Sequence, residues 1–268
     1  MGYSTPTKAE VISARRLLNM GPPNSGKSES LITWPRPAHV LVSPGEQGDD
    51  TLPRGIEDFR LHLWEDDPIS KTSSASIVTQ VETLAWEILG GKHGPVTSFL
   101  FEGIHKYYDY ILDWLTGGAY FKGEEFEPKL YARSHEHFKY FVQRVNASPV
   151  KYVAFTCWDG KEPDEPGTKG GPSHVYPDLP GKMAKRIMGE FSVVVYSQVE
   201  WHMRQPGKKA PAYWQLIPEG KVWGAAVKAP YAVTQHLPVR VEQSLPALEA
   251  ALEKAWHLSQ KTTPTTPA

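Results

Sequence analysis

The 268-residue sequence predicts an α/β fold with a mostly parallel central sheet flanked by helices. Three observations predict it: β-rich runs alternate with segments of helical apolar spacing, no internal repeat interrupts that alternation, and a glycine-rich loop joins the first β-rich run to the first helical one. Taken in order, "RRLLNM" (15 to 20) reads as the first strand, and a helix begins near Lys27. "HVLVS" (39 to 43) and "FRLHLW" (59 to 64) read as the second and third strands. Ile77, Val78, Val81, Leu84, Ala85, Ile88 and Leu89 recur at helical spacing and give one apolar face.

"GPVTSFLFEG" (94 to 103) is the fourth strand, entered through Gly94 and Pro95 and ending at the acid Glu102. A helix follows with Ile104, Tyr108, Ile111 and Leu115 on its core face, and Gly117 and Gly118 stop it. An irregular segment and a helix over 131 to 146 lead into the fifth strand, "VKYVAFTCW" (150 to 158). In "DGKEPDEPGTKGGPS" proline, glycine and charge exclude regular structure. "DLPGKMAKRIMGEF" (178 to 191) reads as a helix and "SVVVYSQVEW" (192 to 201) as a strand; "AYWQLIP" with "KVWGAAVK" reads as a closing β-hairpin. Leu245, Leu248, Leu252 and Trp256 mark a last amphipathic helix, and the end, "KTTPTTPA", reads as a disordered tail. The expected organisation is an N-terminal arm (1–13), one domain (14–258) and the tail (259–268).

Composition narrows the function classes. A formal net charge of -1 excludes a globally basic nucleic-acid coat, so any contact with DNA must be local. Cys157 is the single cysteine, which allows no internal disulfide and suits a reducing compartment. No secretory signal pattern and no run of about 18 apolar residues occurs, so the expectation is a soluble, cytoplasmic protein without a membrane segment. His135 and His137 form an H-x-H pair that a surface helix explains more simply than a metal site.

Gly21, Gly26, Lys27 and Ser28 complete the pattern G-x-x-x-x-G-K-[ST], and they do so between a predicted strand and a predicted helix. Glycines let successive backbone N–H groups face phosphate oxygens, and the helix N-terminus adds partial positive charge. The expected nucleotide contacts are Gly21, Pro22, Pro23, Asn24, Ser25, Gly26, Lys27 and Ser28, with Glu29 and Ser30 closing the stretch. Pro22 and Pro23 stiffen the loop entry. Lys27 is placed to reach the β- and γ-phosphates of ATP, and Ser28 to offer its hydroxyl to Mg²⁺. The metal needs a second acid, normally an aspartate ending a neighbouring apolar strand; here the candidate is Glu102, one methylene longer. Its other reading is a solvated acid at a helix start. Glu46, in "LVSPGEQGDD", follows the second strand on the same sheet edge and is a candidate to polarise the attacking water, with Asp49 and Asp50 near enough to compete. A plain solvated acidic loop is the alternative.

With the glycine loop, Glu46, the strand ending at Glu102 and "DLPGKMAKRIMGEFSVVVYSQ" in this order, the chain resembles the RecA-like P-loop ATPases encoded by bacteriophages, and more narrowly the RecA-core (Sak-type) single-strand annealing proteins. The resemblance spans most of residues 14 to 235, and the phosphate loop is its one specific motif. It implies a RecA-like P-loop NTPase core that oligomerises as a ring or filament, hydrolyses ATP, binds single-stranded DNA and assists recombination beside a single-strand binding protein, in the bacterial host cytoplasm. By the same resemblance Lys27, Glu46 and Glu102 are the catalytic set, Ser28 and Glu102 the metal set, and Thr156 a polar γ-phosphate sensor. Lys228, in "VWGAAVKAP", stands where family members carry a basic residue that reaches a nucleotide across a subunit interface. For Thr156 the alternative is a β-branched strand residue.

Loops 116–130 and 158–177 fall where the resemblance places DNA contacts. Lys122, Lys161 and Lys169 suit phosphate and Tyr120, Phe121 and Trp158 suit base stacking, whereas Glu124, Glu125, Glu127, Asp164 and Glu165 oppose a DNA backbone. Lys182, Lys185 and Arg186 form a basic helix face that reads as solvated surface. Two other functions share the loop. A small-molecule or nucleotide kinase needs an arginine-rich lid, and Arg133 and Arg144 are isolated. A non-hydrolysing nucleotide-binding switch or structural subunit needs only the loop.

Overall fold

A computed structural model of the chain describes residues 16–43, 52, 55–63, 73–161, 173–180, 182–200, 210–216, 222–223 and 231–262. The strands are β1 (Arg16–Gly21), β2 (Ala38–Val42), β3 (Phe59–Leu63), β4 (Ser98–Glu102), β5 (Tyr152–Lys161), β6 (Ser173–Pro177), β7 (Val193–Val199), β8 (Ala212–Gln215), β9 (Val222–Trp223) and β10 (Arg240–Glu242). The helices are α1 (Lys27–Ser30), α2 (Ser74–Leu89), α3 (Ile104–Leu115), α4 (Ala119–Lys122), α5 (Pro128–Asn146), α6 (Lys182–Ile187), α7 (Tyr231–Thr234) and α8 (Leu245–Thr262).

The strands lie in the order β10-β8-β7-β1-β5-β4-β2-β3. The six from β7 to β3 are parallel, which puts their C-terminal ends on one edge. Parallel strands covered on both faces must be apolar on both. Their side chains accordingly divide residue by residue: Leu18, Phe99, Phe101, Val153, Phe155 and Val194 join one core, and Leu17, Leu100, Ala154, Val193 and Val195 the other. The first core packs against α2, α3, α5 and α6, and the second against the segment after α1 together with α8. Ser73 caps α2 by accepting from the Ser76 N–H at 3.3 Å. Gly103 turns the chain from β4 into α3 at φ 77°, a conformation that costs glycine nothing.

Several expectations need correction. Among the described residues of "AYWQLIP" and "KVWGAAVK" no hairpin pairing occurs: β8 is antiparallel to β7 and to β10, while β9 lies parallel to β6. Local sequence suggested a hairpin, but β7 offered an unpaired edge. β5 runs on to Lys161 and β6 begins at Ser173, so both ends of the segment expected to lack regular structure are strand, and β6 pairs antiparallel with the end of β5. The irregular segment 116–130 holds α4 and the start of α5, with Pro128 in the first turn. The helix expected over 178–191 is α6 followed by a tight turn over Met188–Glu190. α8 continues to Thr262, into the stretch expected as tail. The arm 1–13 and positions 263–268 lie outside the described residues, as do Trp64 and Trp201, which were expected to end strands.

Candidate nucleotide-binding site

β1 delivers Gly21 to the C-terminal edge of the sheet. A Cβ there would stand 2.6 Å from the Ser197 carbonyl oxygen of β7, so only glycine fits beside that strand. The chain then turns tightly, with the Ser25 N–H donating to Pro22 O at 3.3 Å. Asn24 (φ 60°) and Gly26 (φ 81°) take the left-handed conformation. These reversals curl the backbone round a concavity before α1 begins at Lys27, the arrangement in which backbone N–H groups form an anion cradle. Pro22 and Pro23 sit at the outer rim, and Glu29 is exposed on the first turn of α1.

Lys27 is buried, and its ammonium donates to Gly21 O at 2.9 Å and to Pro22 O at 2.8 Å. The charge is thus held in the mouth of the loop by carbonyl dipoles. Next to it the Ser28 hydroxyl donates to Glu102 Oε1 at 2.6 Å. The second carboxylate oxygen, Glu102 Oε2, accepts from Thr156 Oγ1 at 2.8 Å, and Thr156 Oγ1 in turn accepts from the Gly103 N–H at 2.9 Å. Ser43, just past β2, fixes the same corner by donating its hydroxyl to Glu102 O and Gly103 O, both at 2.8 Å. Glu102 is 2% exposed, which rules out a solvated surface acid.

β5 lies between β1 and β4, so Glu102 meets Ser28 across the intervening strand, whose Thr156 binds its other oxygen. Thr156 stands opposite Asn19 of β1 in the β5 register. The sheet therefore brings together Lys27, Ser28, Glu102 and Thr156.

Beneath the loop lies a polar floor that the motif did not reveal. Asn19 Nδ2 donates to Ser30 Oγ at 3.1 Å, Ser30 Oγ donates to Lys27 O, and Ser197 Oγ donates to Asn19 Oδ1 at 2.6 Å. Gln243, just after β10, donates to Ser25 O at 3.1 Å and to Ser197 Oγ. The signal for Asn19 and Ser197 was present in sequence as single polar residues inside the apolar runs "LLNM" and "VVVYS". Gln243 left no such signal.

Glu46, Asp49, Asp50, Asp164, Glu165, Lys169 and Lys228 lie outside the described residues. Of the proposed DNA-contacting residues, Trp158 packs against His105, with ring centroids 4.9 Å apart, and the Lys106 ammonium lies 5.2 Å from its centroid. Tyr120 donates to Asp109 Oδ1 at 2.9 Å; burial, before any other influence, holds the Asp109 carboxyl above the usual range. Phe121 is exposed, as are Lys122, Glu124, Glu125 and Glu127. His137 contacts Glu82 Oε1 at 2.7 Å, and His135 packs against Tyr108 with ring centroids 5.8 Å apart. Among the described residues no group of three His, Cys, Asp or Glu side chains is placed to hold a metal ion. A magnesium ion needs fewer, because it keeps most of its waters and takes one or two carboxylates beside phosphate oxygens. The hydroxyl of Ser28 beside the Glu102 carboxylate fits that requirement.

No protein-family model matches the chain, and no curated protein matches it. Among solved structures it is similar to the assembled ATPase EscN from the enteropathogenic E. coli type III secretion system, with 11% identity and a TM-score of 0.38. That match covers 70% of this chain and 46% of the other, so the chain spans less than half the length of that structure. In its own geometry, the G-x-x-x-x-G-K-S loop runs from the first strand of a parallel sheet into a helix, the placement that the motif requires. No helix among the described residues is long and apolar enough to cross a membrane.

Proposed function

We propose that the chain is an ATP-binding, Mg²⁺-dependent ATPase with a RecA-like core that acts on single-stranded DNA. The observation that carries the nucleotide part is the Ser28–Glu102–Thr156 chain beside Lys27 at the mouth of the loop. Lys27 exchanges the Gly21 and Pro22 carbonyls for phosphate oxygens, and the loop N–H groups bind the same anion. Ser28 would offer its hydroxyl oxygen to the metal, while Glu102, accepting the Ser28 hydrogen bond, would orient that oxygen and balance charge. The metal, when bound, neutralises charge on the transferring phosphoryl group. Thr156 senses the γ-phosphate through Glu102, Glu46 polarises the attacking water, and Lys228 completes the site from a neighbouring subunit of a homo-oligomer.

The DNA part rests on the resemblance, which places DNA contacts in loops 116–130 and 158–177. Phe121 and Lys122, both exposed, are the further candidate contacts, and a single-strand binding protein is the expected partner. One experiment tests the reading: ATP binding and hydrolysis with and without single-stranded DNA, on wild type and Lys27→Ala. Wild type should bind ATP, hydrolyse it and speed up with DNA, while the variant loses all three. Equal ATP binding by both refutes the site; turnover indifferent to DNA refutes the partner; tight binding without turnover leaves a nucleotide-binding switch.

A further inference from the structure

Gln243 stands at the phosphate loop although it is 218 positions from Ser25. Its side-chain amide has two N–H groups, and both are used: one donates to Ser25 O at 3.1 Å and the other to the buried Ser197 hydroxyl. The Ser25–Gly26 peptide is trans, the one cis bond among the described residues being Arg36–Pro37. In a planar trans peptide the C=O and the next N–H point in opposite directions. A donor that grips the Ser25 carbonyl from outside the loop therefore turns the Gly26 N–H toward the other side, where an anion would lie.

The same glutamine blocks the alternative. A Cβ on Gly26 would stand 2.4 Å from Gln243 Oε1, so the amide closes the back of the loop at that peptide. From Gln243 the hydrogen bonds run in one direction through Ser197, Asn19 and Ser30 to Lys27 O, each hydroxyl accepting once and donating once. A second tie lies nearby: the Leu245 N–H at the start of α8 donates to Thr33 Oγ1 at 3.0 Å, and Thr33 Oγ1 donates to Ser30 O at 2.7 Å. The β10–α8 junction is thus fastened to the phosphate loop at its crest and again just behind α1.

We propose that Gln243 is a positioning residue that holds the Ser25–Gly26 peptide in its phosphate-binding orientation, so that nucleotide affinity depends on the seating of the β10–α8 junction against the loop. This rests on the nucleotide-binding reading of that loop. Gln243 is half-buried and belongs to neither apolar core, and a residue that merely stabilised the fold would act on stability rather than affinity.

The test measures the Kd for Mg²⁺–ATP and the nucleotide-free Tm of the full chain for wild type, Gln243→Ala, Gln243→Glu, Ser197→Ala and the Gln243→Ala/Ser197→Ala pair. Loss of one loop-orienting hydrogen bond should weaken ATP binding about tenfold in Gln243→Ala, with the nucleotide-free Tm nearly unchanged. Gln243→Glu should be at least as weak, since a carboxylate cannot donate to Ser25 O. The double variant should weaken binding less than the two single effects combined, because both act through one chain. Where turnover is measurable, the loss should appear in KM and not in kcat. Wild-type affinity in both Gln243 variants overturns the proposal, as does a lower Tm with affinity intact. If Lys27→Ala binds ATP as wild type does, the nucleotide site itself fails and Gln243 fails with it; a weak Lys27→Ala beside unchanged Gln243 variants removes Gln243 alone.

Discussion

Glu102, the last residue of β4, accepts a 2.6 Å hydrogen bond from Ser28, which lies 74 positions earlier on the far side of β5. That bond joins the glycine loop to a second strand of the sheet and sets a hydroxyl beside a carboxylate, a pair that neither segment could supply alone.

Glu102→Gln keeps the shape of the side chain and removes its charge. Second-sphere and carboxylate losses of this kind reduce metal affinity or activity by about 10–100-fold. The expected result is a higher Mg²⁺ requirement for ATP hydrolysis with metal-free ATP binding little changed, read from titrations of Mg²⁺ at fixed ATP. An unchanged Mg²⁺ midpoint would remove Glu102 from the metal site.

Gly26→Ala meets two obstacles at once, the left-handed φ of 81° and the Gln243 side chain. A non-glycine residue in that conformation costs about 1–2 kcal/mol. ATP binding should fall sharply, while unfolding stability in urea titration falls by at least that amount. Retained binding would show that the loop is shaped differently in solution.

Arg16 ties the start of β1 to the turn after α5. Its Nε donates to Asn146 O at 2.6 Å, and its Nη2 to Ser148 O at 3.0 Å and Val150 O at 3.1 Å. The planar fork reaches several carbonyls at once, which a lysine ammonium cannot match in geometry. Arg16→Lys should therefore lower unfolding stability by about 1–3 kcal/mol in urea titration. Stability equal to wild type would mean that these bonds contribute nothing net.

His39 and His62 lie stacked with ring centroids 5.2 Å apart, and His39 Nδ1 is 3.0 Å from His62 Nε2. Burial, followed by the neighbouring His39, His93 and Arg60, lowers the pKa of His62 from 6.5 to about 4. Its folded pKa is below its unfolded one, so the unfolded chain takes up the proton first as pH falls. The contribution of neutral His62 is complete above about pH 6.5 and is lost progressively toward pH 4. In His62→Gln the denaturation midpoint should depend less steeply on pH across that window. Identical slopes would exclude His62 as the source.

How much was legible varies with the range of the interaction involved. The β1-loop-α1 unit was legible because glycine, lysine and serine at fixed spacing act within a few residues of one another, and the apolar runs of β2, β4 and β5 because a sheet covered on both sides leaves them no polar face. β8 was misassigned because its partner was chosen by the open edge of β7, which no local pattern announces. The helical end of α8 was read as tail because "KTTPTTPA" is polar, while the packing of Leu252 and Ala255 carries the helix onward into it.

The sequence by itself determined the class of fold, the phosphate loop and the candidates Lys27, Ser28 and Glu102, since these follow from periodicity and short-range spacing. Only the tertiary structure decided that Glu102 reaches Ser28 across β5, that Thr156 and Ser43 fix it there, and that Gln243 grips the loop from 218 positions away. Those contacts depend on strand order and register, which are set by how two apolar cores close over the sheet, and that closure is a property of the whole chain.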